Sequence, residues 1–177
     1  MDGAFYVDSK EPFWAVAGSA VTLSTTAQPI YPNSALPLLP SNYFGYVGKA
    51  LRVKMFGSYT CGATPGNLAW SFYWGNNTAA NGTLLQSWSG AGPAGGTGLT
   101  WVTELLVRCR SLGPTGSLIV SGWVNFNAIG AVCIPVTGLA PVTIDTTASN
   151  YISPQFSRSG STAETITPQD ILFEGLN

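Results

Sequence analysis

The sequence predicts an all-β chain, an antiparallel β-sandwich of about eight or nine short strands with an extended N-terminal arm. Three observations lead there. Period-2 alternation of apolar and polar residues runs through the chain from Lys49 onward, and turn residues interrupt it at intervals of about 10 to 15 residues. The polar part of the composition is Gly, Ser, Thr, Asn and Pro, with 21 glycines and 12 prolines, while charged residues make up only 8% against roughly 25% in ordinary domains. No convincing amphipathic helix is present.

At 177 residues the chain suits one domain with a core of its own. The first 48 residues differ from the rest, so the expected division is an arm over 1–48 and a sandwich over 49–177. Between Gln28 and Asn42 the chain reads QPIYPNSALPLLPSN. Pro29, Pro32, Pro37 and Pro40 remove backbone donors and push each preceding residue toward extended geometry, which rules out a helix or a central strand. Ile30, Tyr31, Leu36, Leu38 and Leu39 make the same stretch too apolar for a solvated linker. Two destinations satisfy both facts: the surface of a neighbouring chain, or the edge of the chain's own sheet.

The strands follow in order. In KALRVKMFGSYT, Leu51, Val53 and Met55 share one face and Arg52 and Lys54 the other, as in a half-buried antiparallel strand. After the turn CGATPGN, the strand LAWSFYWG aligns Leu68, Trp70, Phe72 and Trp74 as candidate core. NNTAANG is a polar loop, GTLLQSW a short strand, and SGAGPAGGTG a Gly-rich tip. TWVTELLVRCRS sets Trp101, Thr103, Leu105, Val107 and Cys109 against Val102, Glu104, Leu106, Arg108 and Arg110. SLIVSGWVNFN aligns Leu118, Val120, Gly122, Val124 and Phe126, and a glycine within that row signals a bulge or a close backbone approach. GAVCIPV, PVTIDTTAS, NYISPQFS and ETITPQDILFEG complete the set, with Pro135, Pro154 and Pro168 marking edges or bulges.

Histidine is absent, which removes imidazole general bases, Ser-His-Asp and Cys-His nucleophiles and His-ligated metals. Two carboxylates suffice for a glycosidase, and Glu104 with Asp145, or Glu164 with Asp170, are the pairs to consider. Capping of turns or pairing with Arg108, Arg110 and Arg158 is the simpler use of such sparse charge. Cys61, Cys109 and Cys133 match neither a disulfide framework nor a metal knuckle and read as buried free thiols. No metal, cofactor or catalytic residue is expected. The net charge of −1, without a basic run, argues against nucleic acid and anionic lipid, and no apolar run is long enough for a membrane span. The N-terminus carries no secretory pattern, so the sequons at Asn76 and Asn81 are not expected to be glycosylated. A chain this poor in charge is instead expected to assemble. The candidate interface residues are Ile30, Tyr31, Leu36, Leu38 and Leu39 of the arm, together with Glu104, Arg108 and Arg110, whose alternation on one strand face suits either a polar network across subunits or a solvated outer sheet face.

The segments CGATPGNLAWSFYWG, ELLVRCRSLGPTGSLIVSGWVNF, APVTIDTTASNYISPQFSRSGSTAETIT and ILFEG resemble, in strand spacing and turn type, the small jelly-roll virion proteins of tailed double-stranded DNA bacteriophages. That resemblance implies a jelly-roll sandwich without enzymatic activity, made in the host cytoplasm and built into the virion, often as a trimer or another symmetric oligomer of its own copies. A capsid decoration (cement) protein bound to the major capsid protein on the outer head lattice is the first expectation. A tail or fibre component that binds a receptor or glycan through loops 76–82 and 89–98 is the second. A carboxylate-only glycan hydrolase or lyase is the third.

Overall fold

The structure is a computed structural model that describes residues 13–16, 18–32, 36–76, 78, 81–92, 94–127, 132–135, 140–160 and 164–176. Among these residues every regular element is a strand. Three short ones precede Lys49: β1 (Phe13–Val16), β2 (Val21–Thr22) and β3 (Gln28–Pro29). Nine follow it: β4 (Ala50–Cys61), β5 (Asn67–Gly75), β6 (Thr83–Ala91), β7 (Gly96–Ser111), β8 (Gly116–Asn127), β9 (Val132–Pro135), β10 (Val142–Ile144), β11 (Tyr151–Arg158) and β12 (Thr165–Leu176).

The strands form two antiparallel sheets. The larger has the order β1-β12-β4-β7-β8-β10, with β2 added to β12 and β9 to β8; the smaller has the order β3-β11-β5-β6. β4 pairs with β12 in the larger sheet, and the next strands inward, β5 and β11, pair in the smaller one. The chain thus returns along itself from both ends, as a ribbon rolled over two layers, in jelly-roll-like fashion. Inside that frame, β5–β6 and β7–β8 are local hairpins.

Alternation decides which face is buried. Leu51, Val53 and Met55 on β4, Trp101, Leu105 and Val107 on β7, and Leu118, Val120 and Val124 on β8 all point between the sheets, each at most 2% exposed. Leu68, Trp70 and Phe72 on β5 and Phe156 on β11 meet them from the other layer. The indoles of Trp70 and Trp101 join the two layers with ring centroids 5.3 Å apart, tilted by 60°. Burying side chains of this size is the main stabilising contribution, roughly 1.5–3 kcal/mol for each aliphatic or phenyl group. Thr103, fully buried among apolar neighbours, donates its hydroxyl to the Trp123 carbonyl at 2.6 Å, so no polar group is stranded there.

Two glycines mark close approaches. Gly122 has φ +156°, and a Cβ there would come within 2.2 Å of the Glu104 carbonyl oxygen, which accounts for the glycine inside the β8 row. Gly57 on β4 leaves the space that the Trp101 ring occupies. Pro168 falls at a register shift between β12 and β4, and Pro135 lies on β9, outside β8 at the sheet margin.

Of the two destinations open to the Pro-rich segment, the structure shows the chain's own sheet edge. Residues 18–32 and 36–48 do not reach away from the sandwich but lie along it. β2 extends the larger sheet at β12, and β3 extends the smaller sheet at β11. The Ile30 amide donates to the Pro154 carbonyl, and Leu39 and Asn150 exchange backbone hydrogen bonds at 3.0 and 3.1 Å. A Pro-rich segment can do this because an edge position needs only some of its backbone groups to bond. Of residues 1–48, only 1–12, 17 and 33–35 lie outside the described set.

Candidate functional site

The outward face of the larger sheet gathers most of the charge in the described body. Strand parity puts Arg52 and Lys54 of β4, Glu104, Arg108 and Arg110 of β7, and Glu174 of β12 on this face, opposite to the core residues that alternate with them. Register sets their contacts. Lys54 stands directly across from Glu104, and Arg52 directly across from Glu174 on its other side. Arg52 Nε lies 3.2 Å from Glu104 Oε1 and its Nη1 lies 3.0 Å from Glu174 Oε2, while Lys54 Nζ is 3.8 Å from Glu104 Oε2. These side chains are 34–44% exposed, so each pair contributes at most about 1 kcal/mol. The value of the network lies more in ordering the face than in stabilising the fold.

Apolar groups share the same surface. Phe56 of β4 and Val102 of β7 are cross-strand partners, yet they remain 50% and 39% exposed. Further along β7, Leu106, Arg108 and Arg110 line a shallow hollow of about 170 Å³ with Ile119 and Ser121 of β8. Neither arginine forms an ion pair with any described residue, in contrast to Arg52 and Lys54.

The structure divides the residues expected to form an interface. Glu104, Arg108 and Arg110 are together on one exposed face, as the alternation required. Ile30, Tyr31, Leu36 and Leu39 are 1–5% exposed and belong to the protein's own core. The Tyr31 hydroxyl donates to the Asp170 carbonyl at 2.6 Å, and burial pushes its pKa far above the ordinary tyrosine value. These four are therefore closed to a second chain in this fold, because their apolar surface is already covered. Of the five arm residues only Leu38, at 52% exposure, is open. Phe56 and Val102 were not singled out from the sequence, although their parity with Lys54 and Glu104 was the available signal.

The carboxylates considered for catalysis each have local work. Glu104 is held by Arg52 and Lys54, not by Arg108 or Arg110. Asp145 accepts hydrogen bonds from the Thr147 amide and hydroxyl, which lower its pKa. Glu164 is fully buried and accepts from the Gly66 amide at 2.8 Å, tying the β4–β5 turn to the start of β12. The Tyr59 hydroxyl lies near that carboxylate, and desolvation raises its pKa, but neither the hydroxyl nor Glu164 Oε2 meets hydrogen-bond geometry with a described partner. Arg158 is turned to the backbone, donating to the carbonyls of Leu23 and Gly160. The Cys61 and Cys109 side chains are buried, and burial raises the Cys109 pKa; the Cys133 side chain lies outside the described residues. Among the described residues no three His, Cys, Asp or Glu side chains converge as a metal site would need. Trp70, Trp74 and Trp101 are core residues, while Trp88 and Trp123 are half-buried.

No protein-family model matches the chain, and no curated protein sequence does. Among solved structures, the chain is similar to lectin I-B4 from Griffonia simplicifolia in its metal-free form, with 10% identity over 98% of this chain and 97% of the lectin and a TM-score of 0.37. It is also similar to infectious bursal disease virus structures of the Gt and Gx strains. Those matches show 10% and 12% identity and TM-scores of 0.31 and 0.27, and in each the alignment spans 34% of the viral chain. Likenesses this distant carry no argument about function.

Proposed function

We propose that this protein is a non-enzymatic virion component, a capsid decoration (cement) protein that binds the major capsid protein on the outside of a phage head and reinforces the lattice. The observation that carries this reading is the outward face of the larger sheet. There an exposed apolar pair, Phe56 and Val102, adjoins a charge network and two arginines, Arg108 and Arg110, that form no ion pair with any described residue. Apolar contacts rimmed by polar groups and enriched in arginine characterise surfaces that other proteins cover. The scarcity of charge over the whole chain, 8%, points the same way, since it offers little repulsion against close packing of copies.

The physical mechanism is linkage. A copy that bridges adjacent shell subunits only in the mature lattice adds its binding free energy to that lattice. A specific contact of this kind buries roughly 1,200–2,000 Å² in total, and a sandwich has surface enough for one such contact to the shell and another to its own copies, as a homo-trimer or another symmetric ring. The reading is tested by co-sedimentation of the purified protein with expanded heads that lack it. Saturable binding that Phe56→Asp abolishes is the expected result; absence of binding to any head preparation overturns it.

A further inference from the structure

The hollow between β7 and β8 has a chemistry that the shell-binding reading leaves unassigned. Arg108 and Arg110 alternate on one strand face, both exposed, over a floor made by Leu106 and Ile119 with Ser121 at its edge. Elsewhere on this face each cation has a carboxylate: Arg52 has Glu104 and Glu174, and Lys54 has Glu104. The arginine pair is the exception among the described residues. Two uncompensated guanidinium groups beside apolar surface are a recognition element, since arginine binds carboxylates bidentately and sheds its hydration readily.

We infer that this hollow is the docking site for an extended acidic segment of another protein, one bearing two carboxylates two residues apart with an apolar side chain between or beside them. Charge and exposure carry the assignment. Alternate residues of a regular strand are about 7 Å apart; the β7–β8 register shifts between Cys109 and Ser111, yet Arg108 and Arg110 both stay exposed and line the same hollow, where they offer two cations to alternate carboxylates of an extended partner. The apolar floor favours a peptide over a nucleic-acid backbone, which would gain nothing from Leu106 and Ile119. Only two cations are offered, on a chain of net charge −1 with Glu104 on the same strand, which is too little for phosphate tracking. The inference deepens the assembly reading by naming the chemistry that the shell's contacting segment would carry.

The test uses the full chain and the blocked peptide acetyl-Leu-Asp-Val-Asp-Leu-amide, titrated to millimolar concentration and followed by NMR shifts of the β7 and β8 amides. Saturable shifts are expected around Leu106 and Ile119. They weaken at least tenfold for Arg108→Gln/Arg110→Gln and for the Asn-for-Asp peptide, and stay unchanged for Arg52→Gln, with melting curves confirming that each variant is folded. Absence of binding, or equal binding by the amide peptide or the double variant, overturns the inference. Stronger competition by an oligothymidylate than by the acidic peptide makes the site a phosphate site and overturns it as well. So does binding seen only after Asp2→Asn/Asp8→Asn/Glu11→Gln, because the occupant is then the chain's own N-terminal segment. Peptide binding without head binding removes the cement reading alone.

Discussion

Trp101 lies over Gly57 so closely that a Cβ at position 57 would come within 2.9 Å of the indole and 2.2 Å of the Thr167 carbonyl oxygen. Position 57 is paired across to Trp101 on β7 and to Pro168 on β12, so the backbone on both sides is held by the ladder. The ring gains a second anchor where its Nε1 donates to the Ser58 carbonyl at 3.2 Å. Gly57→Ala is therefore expected to cost about 2 kcal/mol or more, since neither neighbour can withdraw. Urea unfolding with an unchanged m-value and a lowered midpoint would report it.

The segment before Lys49 is expected to behave as core. Leu39 is 4% exposed and Leu38 is 52% exposed, one residue apart. Leu39→Ala should cost about 2–5 kcal/mol, and Leu38→Ala no more than about 0.5 kcal/mol. Equal small effects in thermal denaturation would show that this segment is not part of the folded unit in solution.

The Arg52–Glu104 pair should show weak, salt-sensitive coupling. Both side chains are about one-third exposed, so a double-mutant cycle with Arg52→Gln and Glu104→Gln should give about 0.2–1 kcal/mol at low ionic strength. Repeating the cycle at 1 M salt should bring the coupling toward zero.

Tyr43 sets an alkaline limit. Desolvation is the main cause that pushes its pKa up to about 12 from the ordinary 10, with Tyr46 adding to it. Burial favours the neutral phenol, so the contribution is fully present below pH 10 and is lost as pH rises from 10 to 12, where the unfolded chain ionises first. Two units correspond to about 2–3 kcal/mol. Tyr43→Phe should remove that share of the alkaline loss. At pH 7 it should cost little, because the hydroxyl is buried without a described partner. Melting temperatures of the two proteins from pH 7 to 12 compare them directly.

Much of the fold was legible because strand patterning is local. The alternation in KALRVKMFGSYT needs no knowledge of partners to put Leu51, Val53 and Met55 inside and Arg52 and Lys54 outside, and the structure agrees. The Pro-rich stretch was not legible in this way. Ile30, Leu36 and Leu39 must be buried by something, but composition is the same whether the cover is β11 of the same chain or a neighbour's surface. The network on the outer face was half legible. Parity put Glu104 with Arg108 and Arg110 on one face, yet residues two apart on a strand do not meet. Contacts are made across strands, and the partner of Glu104 comes from β4, fifty residues earlier in the chain.

By itself the sequence determined the class of the fold and the side of each long strand that is buried, because both follow from residue type and period-2 spacing. Tertiary structure alone decided that residues 18–32 and 36–48 seal the protein's own sandwich, that Glu104 answers to Arg52 and Lys54, and that Arg108 and Arg110 are left without a partner among the described residues. Those outcomes depend on strand order and register, and β4 pairs with β12 across more than a hundred intervening residues.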